Sequence, residues 1–314
     1  MRVAFMGTPD FAVPCLQALI EADFIDVVGV VSQPDRKRGR GQQVKPTPVK
    51  KEALKHQIEV FQPEKVSTAE GIAKLEEWNS EAIVVVAYGQ ILKEDVLNLP
   101  KYGCINIHAS LLPKYRGAAP IHRAIIDGEE KTGITTMHMD KGMDTGDMIL
   151  KDKLDIAPED TVGTLHDKLS NLGANLIVET LKQLEEGSAP REKQDDKQAT
   201  YAPKISKQEG LVDWAKDVKS IWNLIRGMNP WPGSYTYYDG SRLKLWNSKV
   251  YDNKSKVGIN PGTIVKVDDQ LGIVVQTGDG QLLLTEVQPA SKQRIDATDY
   301  LRGYDIKVGS KLGE

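Results

Sequence analysis

The chain has 314 residues, 40% hydrophobic and 27% charged, with a formal net charge of −3. That is the profile of a globular protein of about two domains. Its slight acidity excludes a general polycation, so any nucleic-acid contact must come from a local basic patch. The two cysteines, Cys15 and Cys104, have neither metal-ligand spacing nor a disulfide framework, which points to a reducing cytoplasm. No apolar run reaches the roughly 18 residues a membrane helix needs, so no membrane partner is expected.

The first elements read strand, turn, helix, strand: an apolar run from Arg2 to Met6, the turn Gly7-Thr-Pro-Asp10, helical spacing from Phe11 to Ala22, and a second buried strand from Asp26 to Val31. This is the start of a Rossmann-like, mainly parallel α/β sheet. The turn has one glycine where a dinucleotide site needs G-x-G-x-x-G, so no NAD is expected.

Between Arg36 and Lys51 there are seven Lys or Arg and no acid. Arg36, Lys37, Arg38, Arg40 and Lys45 are candidate contacts to a phosphate backbone. Two glycines and two prolines make regular structure here unexpected. The bland alternative is a solvated surface loop.

Helices are expected from Val49 to His56 and from Thr68 to Trp78, with a short strand from Glu59 to Phe61 between them. Ala82 to Ala87 is a continuous apolar strand of the kind buried inside a parallel sheet. The segment after it, Tyr88-Gly-Gln-Ile-Leu92, could wall a ring-binding pocket or simply pack in the core.

The run Cys104-Ile-Asn-Ile-His108 alternates, with Ile105 and Ile107 as its apolar partners, and reads as a strand tail. Side chains two apart share a face, so Asn106 and His108 point the same way, just before a loop at Ser110-Leu-Leu-Pro113. The carboxyl ends of strands are where open α/β sheets bind ligands. A second loop, Met139-Asp-Lys-Gly-Met-Asp-Thr-Gly-Asp147, supplies Asp144. A carboxamide to steady an oxyanion, an imidazole to move a proton and a carboxylate to orient it suit acyl transfer without a metal or a covalent intermediate.

Pro120 to Ile126 reads as a helix carrying His122, and His138 reads as a core or supporting histidine. Thr161 caps a long helix with a leucine stripe ending near Gly187. The stretch 190–207 is mostly polar and reads as a linker. It divides a catalytic domain, 1–189, from a second domain, 208–314. The second domain holds a helix from Ala215 to Arg226 and five short β runs: Ser234–Tyr238, Leu243–Val250, Gly262–Val267, Gly272–Gln276 and Gln281–Val287. That pattern fits a small β-barrel of the OB type.

These motifs resemble the methionyl-tRNA formyltransferase family over essentially the whole chain. The likeness rests on Gly7-Thr-Pro-Asp-Phe11, the basic loop with Gln33-Pro-Asp-Arg36 and Gly39-Arg-Gly41, Asn106-Ile-His-Ala-Ser-Leu-Leu-Pro-Lys-Tyr-Arg-Gly117, Met139 to Gly146, Glu209-Gly-Leu-Val-Asp-Trp214 and Ile225-Arg-Gly-Met-Asn-Pro-Trp-Pro-Gly233. The central motif is shared with other folate-dependent formyltransferases; the basic loop and the barrel narrow it to tRNA. The resemblance implies that 10-formyl-tetrahydrofolate is the co-substrate, with no metal, and that methionyl-initiator tRNA is the acceptor. It implies catalytic roles for Asn106, His108 and Asp144. It also implies folate contacts from Ser110, Leu111, Leu112, Pro113, Ala87, Tyr88, Gly89, Gln90, Ile91 and Leu92, and tRNA contacts from the basic loop. Nothing in the chain suggests more than a monomer. Two rival readings share part of the pattern: a folate-dependent formyltransferase for a small amine, and an RNA-binding protein with no enzymatic role.

Overall fold

The computed structural model describes residues 1–38, 43–255 and 258–313, with only the backbone of Arg38. Two compact units emerge. The first comprises Met1–Ala118, Lys131–Leu154 and His166–Ala202; the second comprises Ala119–Glu130, Asp155–Leu165 and Pro203–Glu314. Residues 190–207 therefore divide between them, with Ala202 the last residue of the first unit.

In chain order the elements are β1 (Arg2–Gly7), α1 (Val13–Glu21), β2 (Asp26–Val31), β3 (Arg36–Arg38), β4 (Gln43–Lys45), α2 (Pro48–Lys55), β5 (Val60–Phe61), α3 (Ala69–Trp78), β6 (Ala82–Val86), α4 (Glu94–Leu97), β7 (Cys104–His108) and β8 (Arg116–Gly117). There follow α5 (Pro120–Ile126), β9 (Lys131–His138), β10 (Met148–Asp155), α6 (Val162–Glu186), β11 (Tyr201–Ala202), α7 (Val218–Gly227), β12 (Ser234–Tyr238), β13 (Ser241–Asp252), β14 (Ile264–Asp268), β15 (Gly272–Gln276), β16 (Gln281–Pro289), β17 (Ile295–Asp296) and α8 (Ala297–Gly303).

The first unit is built on a seven-stranded sheet in the order β10-β9-β7-β6-β1-β2-β5. The neighbours from β5 through β2, β1 and β6 to β7 run parallel, and β9 runs antiparallel to β7. Every residue of β6 is buried, as are Val3 to Met6 of β1, because crossover helices cover both faces of a parallel sheet. The chain proceeds from β1 to β2 on one side and returns to β6 and β7 on the other. The carboxyl ends of β1 and β6 thus form a topological switch point, where open α/β sheets leave a ligand crevice. Gly7 lies opposite Val86, and Val85 opposite Asn106, so the loops after β1, β6 and β7 emerge together.

Cys15 and Cys104 are both buried in this unit. Burial pushes each thiol up to about 12; a backbone hydrogen bond at Cys15 opposes this only in part.

One expectation needs correcting. The basic stretch has regular structure: β3 and β4 pair antiparallel, with Arg36 opposite Lys45 and Lys37 opposite Val44. A two-stranded ladder uses backbone groups alone. Its described side chains are exposed, so no apolar alternation marks it in the sequence. Arg40 lies outside the described residues.

In the second unit, β12, β13, β16, β15 and β14 form an antiparallel sheet, with β17 added to β16. The five expected strands appear where alternation placed them. Asp239 and Gly240, at φ 49° and 67°, make the two-residue turn with left-handed geometry that suits a twisted hairpin. Trp214, Ile221, Leu245, Val275 and Leu284 share its core. Helix α7 starts at Val218 rather than Ala215, because the Asp217 side chain accepts from Ser220 N at 2.8 Å and caps it there. Among the described residues no helix is long and apolar enough to cross a membrane.

Candidate active site

Strand β7 delivers Asn106 and His108 to the same face, as its alternation requires. The imidazole is nearly sealed, at 6% side-chain exposure, and the Asp144 carboxyl is 18% exposed. Three groups expected to meet do meet. Asn106 Nδ2 donates to Asp144 Oδ1 at 3.4 Å, and His108 Nδ1 lies 3.7 Å from the same oxygen.

That second distance is an ion-pair separation, too long for a hydrogen bond. The closer partner of His108 is the Tyr115 carbonyl, 2.9 Å from Nε2. A carbonyl only accepts, so Nε2 carries a proton and donates it there. In the neutral ring, Nδ1 then holds the lone pair, on the side of Asp144 Oδ1. The backbone at Tyr115, with φ 60°, turns that carbonyl inward. Tautomer selection thus comes from a main-chain group that no side-chain pattern displays.

Asp144 is held on both sides. Its Oδ2 accepts from Gly117 N at 2.8 Å. Its own backbone is left-handed, φ 56°, a conformation Asp tolerates better than most residues. Gln194 Nε2 donates to the carbonyls of Asp144 and Gly146 at 2.7 and 2.8 Å. Arg116 is 2% exposed; it donates from Nε to Gln194 Oε1 at 3.0 Å and from its terminal nitrogen to Asp196 at 2.8 Å. Backbone pairing of β8 with β11 completes the frame, and Tyr115 N donates to Thr200 Oγ1 at 2.9 Å. Spacing could not single out Gln194, Arg116 or Thr200, since their partners lie as many as 85 residues away.

The Ser110 to Pro113 segment is firmly placed. Ser110 Oγ donates to the Lys114 carbonyl at 2.6 Å. Thr135 Oγ1 donates to the Ser110 carbonyl at 2.7 Å and accepts from Leu112 N at 3.1 Å. Leu112 packs with Met137 and Met148, while Leu111 and Pro113 are half-buried.

After β6 the chain alternates outward and inward. Ala87, Gly89 and Ile91 are exposed, Ile91 at 89%. Tyr88 and Leu92 pack in the core. Gln90 is tied back, accepting from Val66 N at 2.9 Å and donating to the carbonyls of Pro63 and Glu64. Ala87 and Gly89 both have positive φ, 46° and 86°, so the strip offers turned backbone and one bare aliphatic side chain.

Arg36, Lys37 and Lys45 stand exposed on the β3–β4 hairpin. His122 falls in the second unit, within 3.2 Å of the Trp231 carbonyl. His138 lies at the end of β9, paired with Ile105. Burial holds its ring below the usual imidazole range, with Arg191 adding to that and Asp147 opposing it.

The formyl transferase family model matches residues 1–181, and the formyl transferase C-terminal domain model matches residues 204–305. The methionyl-tRNA formyltransferase of Desulforamulus reducens is 52% identical over 313 residues, covering 100% of this chain and 98% of that protein. The Bacillus subtilis methionyl-tRNA formyltransferase is 51% identical, covering 99% of this chain and 98% of its own. In fold, the chain superposes on the methionyl-tRNA formyltransferase from Clostridium thermocellum with a TM-score of 0.55 at 18% identity, covering 82% of this chain and 95% of that one. At about half identity from end to end, with the site assembled as above, the chain belongs to the formyl transferases and, within them, to the methionyl-tRNA formyltransferase family.

Proposed function

We infer that the protein moves the formyl group of 10-formyl-tetrahydrofolate onto the free amino group of methionyl-initiator tRNA, giving N-formylmethionyl-tRNA. The observation that carries the catalytic part is the convergence of Asn106, His108 and Asp144 at the carboxyl end of β7.

The neutral amine adds to the formyl carbon and leaves a tetrahedral adduct with a negative oxygen. The Asn106 amide has two hydrogens; one faces Asp144 Oδ1, and the other suits that oxygen. Collapse of the adduct breaks the bond to the folate nitrogen, which leaves with a proton, while the new amide loses one. His108 handles the proton at Nδ1, because Nε2 is committed to the Tyr115 carbonyl. Asp144, anchored through Oδ2 by Gly117 N–H, lies close enough to stabilise the ring when it becomes cationic.

The exposed strip Ala87, Gly89 and Ile91 fits a flat heteroaromatic ring: backbone groups for its polar edge and an aliphatic contact for its face. Ser110 and Leu112 act by shaping the loop, since the Ser110 hydroxyl and the Leu112 side chain are engaged within the protein. Arg36, Lys37 and Lys45, with Arg38 and Arg40 of the same stretch, supply the cationic contact to tRNA, and the unit from residue 208 onward is the second tRNA-binding element. A monomer working in the cytoplasm completes this reading.

The test is transfer of label from formyl-folate to charged initiator tRNA, run beside elongator methionyl-tRNA. Label should appear on the initiator acceptor end. Asn106→Ala, His108→Ala and Asp144→Ala should each lower kcat about a hundredfold or more, the cost of losing one such donor or proton carrier being about 3 kcal/mol, with the melting temperature nearly unchanged. Unlabelled tRNA beside intact folate would overturn the assignment, and parallel loss of turnover and stability would make the three residues structural.

A further inference from the structure

We infer that Gln194 is a positioning residue for formyl transfer, setting the Asp144 carboxylate through the backbone of its loop; this rests on the catalytic reading of Asp144 above. Gln194 lies between the two family matches, which end at residue 181 and resume at 204.

The side chain makes three hydrogen bonds whose polarity admits one orientation. Its amide nitrogen donates to the carbonyls of Asp144 and Gly146, and its oxygen accepts from Arg116 Nε. A flipped amide would set oxygen against two carbonyls and NH₂ against a guanidinium, so the arrangement is self-consistent in one sense only. The two carbonyls flank Thr145 in a loop whose Asp144 backbone is left-handed. Fixing both constrains the peptide planes on either side of the turn, and with them the direction in which the carboxyl leaves the chain.

The anchor of Gln194 belongs to the same short run that serves the rest of the site. Tyr115 gives its carbonyl to His108, Arg116 gives its guanidinium to Gln194, and Gly117 gives its N–H to Asp144. The imidazole and the carboxylate are therefore referred to one rigid tripeptide, which β11 holds by backbone pairing. Gln194 is the strut that ties the Asp144 loop to that reference. The stretch 190–202 thereby acts as part of the catalytic frame.

The experiment compares Gln194→Met, which keeps the length and removes all three bonds, with Gln194→Glu and with Asp144→Asn. Steady-state kinetics, melting temperature and the pH profile of kcat are measured on the full chain. A displaced reacting group costs up to about a hundredfold, so Gln194→Met should lower kcat about ten- to a hundredfold with both KM values little changed, while the melting temperature falls by only a few degrees, the cost of leaving buried groups such as Arg116 Nε–H without a partner. Gln194→Glu should be most impaired at neutral pH, where its carboxylate, beside Arg116, opposes two carbonyls, and should recover only in part at lower pH, where the protonated acid has one donor for the two carbonyls. In the Asp144→Asn background, Gln194→Met should add little further impairment, since residues acting as a unit are non-additive.

If Asp144→Asn is slow while Gln194→Met turns over normally, or if the two effects simply multiply, the positioning role is overturned and the catalytic reading stands. If Asp144→Asn keeps wild-type turnover, the catalytic reading itself falls.

Discussion

Two glycine-containing, charge-rich loops of the first unit handle their charges in opposite ways. In the stretch from Met139 to Asp147, the carboxylates are engaged within the protein. Asp140 accepts from Gly142 N and Thr145 Oγ1, Asp144 from Gly117 N, and Asp147 from Arg191. In the β3–β4 hairpin the described side chains point to solvent, and only the base is tied down, by Lys50 reaching Asp35 and Gln62 at 2.6 Å. The first loop is held in one geometry, which suits the chemistry proposed at a carbonyl. The second presents charge without fixing it, which suits a polyanion whose phosphates can be met in several registers.

That contrast can be broken first at Gly146. A Cβ there would sit 1.8 Å from the His138 carbonyl oxygen, so the backbone itself must move. Gly146→Ala should cost about 1–3 kcal/mol of stability, the range for overpacking that shifts the backbone, and should lower kcat with it. Thermal unfolding and label transfer measured together check this, and an unshifted melting temperature would show the loop to be adaptable.

A smaller effect is expected from the hairpin. Replacing Arg36, Lys37 and Lys45 by Ser should weaken tRNA binding and flatten its salt dependence, by about 0.9 in the log–log slope for each duplex phosphate left without its cation. The melting temperature should not change. Binding titrations at several salt concentrations read the slope; an unchanged slope would remove the hairpin from the tRNA interface.

The smallest effect lies at the hairpin's base. Burial pushes Asp35 up, but hydrogen bonds from Lys50 and Gln62, with the Lys50 charge, outweigh it and hold the carboxyl below its ordinary 3.8. The stability this contributes is present above 3.8 and is lost as pH falls through the lower folded value. Lys50→Met should therefore destabilise the protein at neutral pH by about 1 kcal/mol or less, as for a partly exposed pair. The difference should shrink in acid, as read by urea unfolding at two pH values.

The same contrast shows which features were legible in the sequence. Asn106 and His108 could be placed on one face because a strand's period of two is written in Ile105 and Ile107. The strands of the second unit followed from alternation and turn residues such as Asp239-Gly240. The β3–β4 hairpin left no such trace, because a ladder with exposed side chains imposes no apolar pattern. The frame around Asp144 was hidden for another reason. The Gln194 side chain meets the Arg116 side chain and the carbonyls of Asp144 and Gly146, while main-chain groups of Tyr115 and Gly117 meet His108 and Asp144, and pairings between distant segments carry no periodicity. The choice of His108 tautomer depends on a carbonyl, which every residue possesses.

The buried thiols of Cys15 and Cys104 have a practical consequence. Both lie in the first unit and, with their ionisation pushed up to about 12, remain unreactive thiols at neutral pH while the fold is closed. Alkylation by a maleimide therefore counts openings of that unit alone. Four of the five tryptophans, Trp214, Trp222, Trp231 and Trp246, lie in the other, so indole fluorescence follows mainly the second. An unmodified chain thus carries two separate reporters, and a single denaturant series can time the melting of each half.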